Sequence, residues 1–398
     1  MRRFGTAPIL RDMNCIHRVL FAAAVGVTIG CSDSPTGPVS PLFTRYVALG
    51  NSITAGFQSG GISDATQRAS YPALIARQAR ARYSYASLGA GCPAPIDDLF
   101  DAISTGTIDP TCAVAGRTPG RRLLNNVAVP GADSFDPIAP VPSTDALTTL
   151  ILDGRNQVDK ALEATPTFVS IWIGNNDVLA AAITGQLGGG NGPTPQATFA
   201  ANYAAMVNRL VAGGARDGVL IGVSDVTLIP LLVPASAFAD PGLRLGLNLI
   251  TGRTVTIDAG CTGSPSYISL AIIPEISSGA HPATIACGTS GSSLGDRFVL
   301  DATERAALVA AVAGYNTYIS AKADSVGFAW YDPNPLFIAA RARGDVPVTP
   351  NIANLDQPFG PLMSNDGVHP SSRGHVLIAN ELIALIAARY SVRLTPVR

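Results

Sequence analysis

Short apolar runs punctuate this chain and end in glycine or polar clusters: Val47-Ala-Leu49 before Gly50, Val127-Ala-Val129 before Pro130-Gly131, Phe168 to Ile173 before Gly174, and Gly218 to Val223. Runs of this kind, with little polar alternation, predict strands buried on both faces. The stretches between them read as helices, over Tyr71 to Tyr83, Asp145 to Ala164 and Ala197 to Val211. Further on, Asp301-Ala-Thr-Glu304 has the spacing of a capping box opening a long helix toward Ala323. A strand from Gly327 to Tyr331 and a closing helix from Ser371 to Tyr390 follow. Strands separated by helices predict an α/β fold, a parallel sheet with helices on both faces. The stretch from about 230 to 300 breaks the alternation. It is rich in Pro, Gly, Ser and Thr and reads as an irregular insertion, either a lid or substrate wall or a plain surface excursion.

Composition narrows the class. With 398 residues, 47% hydrophobic, and a net charge of -1, the chain can bury a large core and has no basic excess that would point to nucleic acid. The amino terminus differs from the rest. Arg2, Arg3, Arg11 and Arg18 precede an apolar run from Val19 to Gly30 that stops at Cys31. That run is short for a bilayer and fits the apolar core of a signal peptide over 1–30, with Met13 as an alternative start. Small residues followed by cysteine resemble the bacterial lipoprotein processing site, which implies lipidation at Cys31. Thr28 stands where that site usually has Leu, and an ordinary secretory cleavage nearby is the alternative. Residues 31–44 then read as a tether to a body over 45–398, exported and touching a membrane only through the anchor.

Two of the six cysteines, Cys15 and Cys31, belong to the leader and its end, which leaves Cys92, Cys112, Cys261 and Cys287. An even number in an exported chain points to disulfides. Of the three connectivities, the local one, Cys92 with Cys112 and Cys261 with Cys287, is expected. No Cys-x-x-Cys or His-Glu-x-x-His spacing is present, so a structural or catalytic metal is not indicated, and no cofactor is expected.

The chemistry centres on Gly50-Asn51-Ser52, where a buried strand runs into a turn and presents a serine at its carboxyl end, the edge at which open α/β sheets bind ligands. A serine hydroxyl needs a base, and the base needs a group that fixes its tautomer. Asp366-Gly-Val-His369 supplies both from one loop, and Pro370 disfavours helix at His369. Of the four histidines, His17 lies in the leader, leaving His281 and His375 as rivals. His281 lacks an acid at similar spacing and His375 falls one turn into the last helix, so His369 is the best candidate. The strand ends at Gly131 and at Gly174-Asn-Asn176-Asp177 can supply a backbone N–H and an amide for an oxygen that turns negative.

In order and residues, these four segments resemble the blocks of the SGNH hydrolase family, also called GDSL esterases and lipases. The resemblance spans Tyr46 to His375. It implies a three-layer α/β/α flavodoxin-like fold, Ser52 as nucleophile, His369 as base, and Asp366 orienting it. It also implies an oxyanion hole of the Ser52 N–H, the Gly131 N–H and the Asn176 side chain. The activity implied is ester hydrolysis through an acyl-enzyme, on a small, lipid or acylated-carbohydrate ester. Asn51 stands where the family has Asp and Ile53 where it usually has Leu. Asn51 leaves a non-catalytic binding module as one alternative, and the same constellation permits an acyltransferase as another.

Overall fold

The computed structural model describes residues 38–93, 95, 123–188, 190, 192–287 and 297–398. The leader, Cys31 and Cys112 lie outside them. In chain order the strands are β1 (Tyr46–Gly50), β2 (Phe168–Trp172), β3 (Asp217–Ile221), β4 (Leu232–Pro234), β5 (Thr256–Ile257), β6 (Tyr267–Ser269), β7 (Thr284–Ile285), β8 (Val299–Leu300) and β9 (Ala329–Tyr331). The helices are α1 (Ser52–Ala55), α2 (Asp64–Ala69), α3 (Tyr71–Gln78), α4 (Ala146–Leu152), α5 (Gln157–Glu163), α6 (Asn176–Thr184), α7 (Gln196–Ala212), α8 (Pro241–Thr251), α9 (Ile272–Ser278), α10 (Ala302–Val326), α11 (Asn334–Ala342) and α12 (Ser372–Tyr390).

The central sheet is parallel in the order β1-β2-β3-β9. Its strands lack polar alternation because both faces are covered. Val47, Leu49, Val169, Ile171 and Leu220 face a core shared with Leu147, Val158, Met206 and Leu308, from α4, α5, α7 and α10. The alternate positions Tyr46, Ala48, Phe168, Trp172, Val219 and Ile221 face Tyr71, Ile75, Ile378 and Leu382, from α3 and α12. Burying one of the larger of these side chains stabilises the fold by roughly 1.5–3 kcal/mol.

On the free edge of β1, the segment around Asn126 runs parallel without becoming a full strand. Ala48 donates to the Asn125 carbonyl at 2.7 Å, Val127 to that of Ala48 at 2.9 Å and Val129 to that of Gly50 at 3.2 Å. Counted as second in the chain, this segment gives the order 2-1-3-4-5 of a flavodoxin-like sheet. Ligands in such sheets bind where the order reverses, outside the carboxyl ends of the first and third strands. Here those are β1 and β2.

Three stretches depart from the sequence pattern. The helix expected over Asp145 to Ala164 is two, because Asp153 and Gly154 take positive φ of 58° and 72°, and the Asn156 side chain then caps α5. The helix from Tyr71 ends at Gln78, before Arg80 at φ 51°. The packed body also begins earlier than residue 45, since Phe43 is fully buried against Tyr46 and Phe168.

The insertion, expected as irregular, is built of short regular elements. An antiparallel β4-β6-β8 sheet packs with α8 and α9 around a second core that includes Val233, Phe238, Ile268 and Ile273. A Cys261–Cys287 disulfide closes it. Cys92 is buried and disulfide-bonded.

Candidate active site

Gly50 makes the first turn of the site. Its φ is +156°, and a Cβ there would sit 2.5 Å from the Trp172 carbonyl oxygen, so only glycine lets β1 pass so close to β2. The next residue, Asn51, caps α1: its Oδ1 accepts the Ile53 N–H at 3.1 Å, while its Nδ2 lies 3.5 Å from Asn175 Oδ1. Ser52 therefore opens a helix with its own N–H free of an intrahelical partner.

Ser52 Oγ lies 2.8 Å from His369 Nε2, and His369 Nδ1 lies 2.8 Å from Asp366 Oδ2. An ionised Asp366 fixes the proton on Nδ1, which leaves Nε2 as the acceptor for the Ser52 hydroxyl. Burial pushes the Asp366 carboxyl up, but the neighbouring His369 and the N–H groups of His369 and Gly60 outweigh it and hold the group well below the usual carboxylate range. Asp366 Oδ1 also accepts from the Val368 N–H at 2.9 Å and the Ser364 hydroxyl at 3.0 Å, and Oδ2 from the Gly60 N–H at 2.8 Å. Two more bonds tie the loops: the Ser59 N–H donates to Ser364 Oγ at 2.9 Å and the Asn365 N–H to Ser59 Oγ at 3.1 Å. The loop after α1 thus clamps the loop that carries Asp366 and His369. The Phe57 ring, 4.9 Å from the His369 ring, covers the imidazole.

Asn176, at the start of α6, lines the same pocket as Ser52 and His369. Its Nδ2 donates to the Ala132 carbonyl at 2.8 Å, which ties it to the turn at Gly131 and leaves one amide hydrogen for a ligand. Gly131 is exposed at φ +85°, with nothing within 4 Å of a Cβ position, and it does not line the pocket. The structure therefore groups Ser52, His369, Asp366 and Asn176, with the Gly131 turn one residue from Asn176's acceptor. His281 and His375 lie elsewhere. Both are fully buried, and burial takes His375 down to about 3, so it stays neutral and accepts the Tyr71 N–H.

Two buried networks that the sequence pattern does not disclose hold these segments. Gln157, on α5, bonds to both backbone groups of Gly50, at 2.9 Å each. Asp177 accepts from the Ser134 N–H at 2.9 Å and its hydroxyl at 2.6 Å, pinning the end of the Gly131 turn to α6. Burial pushes the Asp177 carboxyl up to about 6, although the Ser134 bonds pull the other way.

The pocket is an open cleft walled mainly by Leu179, Val226, Leu228, Ile229, Phe337, Val346, Met363 and Val368. The helix α11, which brings Phe337 and Arg341 to it, has Pro335 in its first turn, a start signal present in the sequence. Among the described residues no group of His, Cys, Asp or Glu is arranged to hold a metal ion, and no helix is long and apolar enough to cross a membrane.

No family model matches this chain, and no curated protein matches it. Among solved structures, one similar chain is an extracellular lipase from Streptomyces rimosus, at 16% identity and a TM-score of 0.35, over 85% of this chain and 99% of that one.

Proposed function

We infer that this chain is a serine ester hydrolase of the SGNH type, working through an acyl-enzyme. The observation that carries the reading is the relay Ser52–His369–Asp366, with 2.8 Å at each step, opening on an apolar pocket at the sheet's switch point. In this mechanism Ser52 Oγ attacks the ester carbonyl while His369 Nε2 takes its proton, and Asp366 stabilises the imidazolium. The carbonyl oxygen, now negative, receives the Ser52 N–H and the free Asn176 amide hydrogen, while the Gly131 turn, outside the pocket wall, holds Asn176 through the Ala132 carbonyl. His369 then protonates the departing alcohol, and a water deprotonated by the same nitrogen releases the acid.

Asn51 is compatible with this reading. Its task is to cap α1 through an oxygen, and an amide carbonyl performs that as a carboxylate would. The leader and Cys31 make the enzyme an exported, lipid-anchored one in this proposal.

The test is covalent labelling by a fluorophosphonate, read by peptide mapping. Ser52 is the expected site, Ser52→Ala should abolish both labelling and turnover of a small acyl ester, and activity retained in that variant would remove the assignment.

A further inference from the structure

Among the described residues that line the apolar pocket, one carries a Lys or Arg side chain. Arg341, in the last turn of α11, lines it and is partly buried. One of its N–H groups donates to the Leu228 carbonyl, and Asp225 and Tyr267 act on its charge without a direct hydrogen bond among the described contacts. A guanidinium has five N–H donors in a planar fork that matches a carboxylate or phosphate, so most of its hydrogen-bonding capacity is unspent.

Two acidic or polar groups share that end of the pocket. Asp225 lies on the same wall, but its Oδ1 is turned to its own loop, where it accepts the Thr227 N–H at 2.9 Å and hydroxyl at 2.7 Å. Ser224 is the other, and its buried hydroxyl has no hydrogen-bond partner among the described residues. Burial works against the guanidinium's charge, and the nearby Tyr267 and Asp225 offset this only in part, so a ligand that pairs with it is favoured here.

Ser52 follows β1, whereas the Arg341 guanidinium reaches the Leu228 carbonyl in the loop after β3, two strands across the sheet. Leu179, Val226, Ile229 and Phe337 line the way between.

We propose that Arg341 is a specificity-determining residue that binds the anionic group, a carboxylate or phosphate, of an ester substrate. The scissile carbonyl lies at Ser52 and an apolar spacer carries the charge across the sheet. The proposal rests on the reading of Ser52 as the acyl acceptor, and it separates this pocket from one built for a wholly neutral chain.

The experiment compares matched esters. One pair places the charge on the acyl side: 4-nitrophenyl half-esters of linear dicarboxylic acids against 4-nitrophenyl esters of monocarboxylic acids of equal length. A second pair places it on the alcohol side: acetylated ω-hydroxy acids and their ω-phosphate counterparts against acetylated alkanols. The wild-type chain should favour the charged member of at least one pair by about tenfold or more in kcat/KM, as befits a hydrogen-bonded ion pair. Arg341→Gln should remove that ratio, and Arg341→Lys should restore part of it, more for phosphate than for carboxylate. Melting curves of each variant establish that the fold is kept.

A binding arm reads the subsite without turnover. Calorimetry on Ser52→Ala should show a long linear dicarboxylate binding more tightly than the monocarboxylate, with the difference lost in the Ser52→Ala/Arg341→Gln double variant. Charge discrimination in binding with no ester turned over would overturn the hydrolase reading and leave the anion subsite standing. Turnover with no preference for charge in either arm, or a preference that Arg341→Gln leaves intact, would overturn the subsite.

Discussion

The side-chain amide of Gln157 closes a ring of two hydrogen bonds with the backbone of Gly50: its Oε1 accepts the Gly50 N–H and its Nε2 donates to the Gly50 carbonyl, each at 2.9 Å. Both residues are buried, and Gly50 is two positions from the Ser52 hydroxyl. The strand that carries Ser52 therefore ends on a fixed peptide, with α5 as the support.

Replacing Gln157 by Leu keeps the volume but removes both bonds. The Gly50 carbonyl still receives the Val129 N–H at 3.2 Å, whereas its N–H is left buried with no acceptor. The expected loss is roughly 1–3 kcal/mol for that orphaned donor. Because the Ser52 turn shifts with it, kcat on a small acyl ester should fall more than the stability loss explains, with fluorophosphonate labelling slowed in parallel. A variant destabilised by this amount but with full kcat would show that the clamp does not position the turn.

Asp366→Asn should act on the histidine tautomer. Oδ1 of Asp366 takes three donors, the N–H groups of Val368 and His369 and the Ser364 hydroxyl, against the single Gly60 N–H on Oδ2, so in the variant the amide oxygen keeps the Oδ1 place and the amide nitrogen takes the Oδ2 position, against His369 Nδ1. There it donates to Nδ1, places the ring proton on Nε2 and removes the acceptor that Ser52 needs. A fall in kcat of about 10³–10⁴ is expected, with the acid limb of stability altered as well. Asp366 is held low in the fold, so its contribution is full above the ordinary carboxylate range and is lost as pH falls. Proton NMR of the His369 ring would read the tautomer directly.

Asp177 carries the opposite sign. Its carboxyl is held at about 6 in the fold, above the ordinary 3.8, so the folded state keeps a proton that the unfolded chain has already released. The stability this provides is full below pH 4 and is lost as pH rises through 6. A shift of two units corresponds to roughly 3 kcal/mol, and Asp177 is only 4% exposed, so solvent screening takes little of it away. Asp177→Asn does not titrate. Its stability relative to wild type should therefore rise between pH 4 and pH 7, measured by urea unfolding at each pH. A constant difference across that range would contradict the assignment.

The strand ends and the polar clusters that follow them were legible in the sequence because buried parallel strands read as apolar runs and the sheet places their carboxyl ends together. That is why Ser52, Asn176, Asp366 and His369 could be named from the chain and are found in one place. Gln157 and Arg341 were not legible for a shared reason. Each sits in a helix whose polar positions ordinarily face water, and only the packing of α5 against β1 and of α11 beside the β3 end turns them inward. The break at Asp153 and Gly154 is hidden because the hydrophobic pattern continues across it, and the insertion's order because its elements are too short to show a period.

That insertion supplies the last test. Val346 and Met363 belong to its core and also line the pocket, so its packing and the pocket wall are coupled. The Cys261–Cys287 bridge spans 26 positions. Closing a loop of that length restricts the unfolded chain by roughly 3–4 kcal/mol. The Cys261→Ser/Cys287→Ser variant should melt at lower temperature. It should also raise KM for long-chain esters more than for an acetate ester, because the loosened wall touches the chain and not the scissile carbonyl. An acyl-length series run below the variant's melting point checks this. Equal change in KM across the series would place the insertion outside substrate binding.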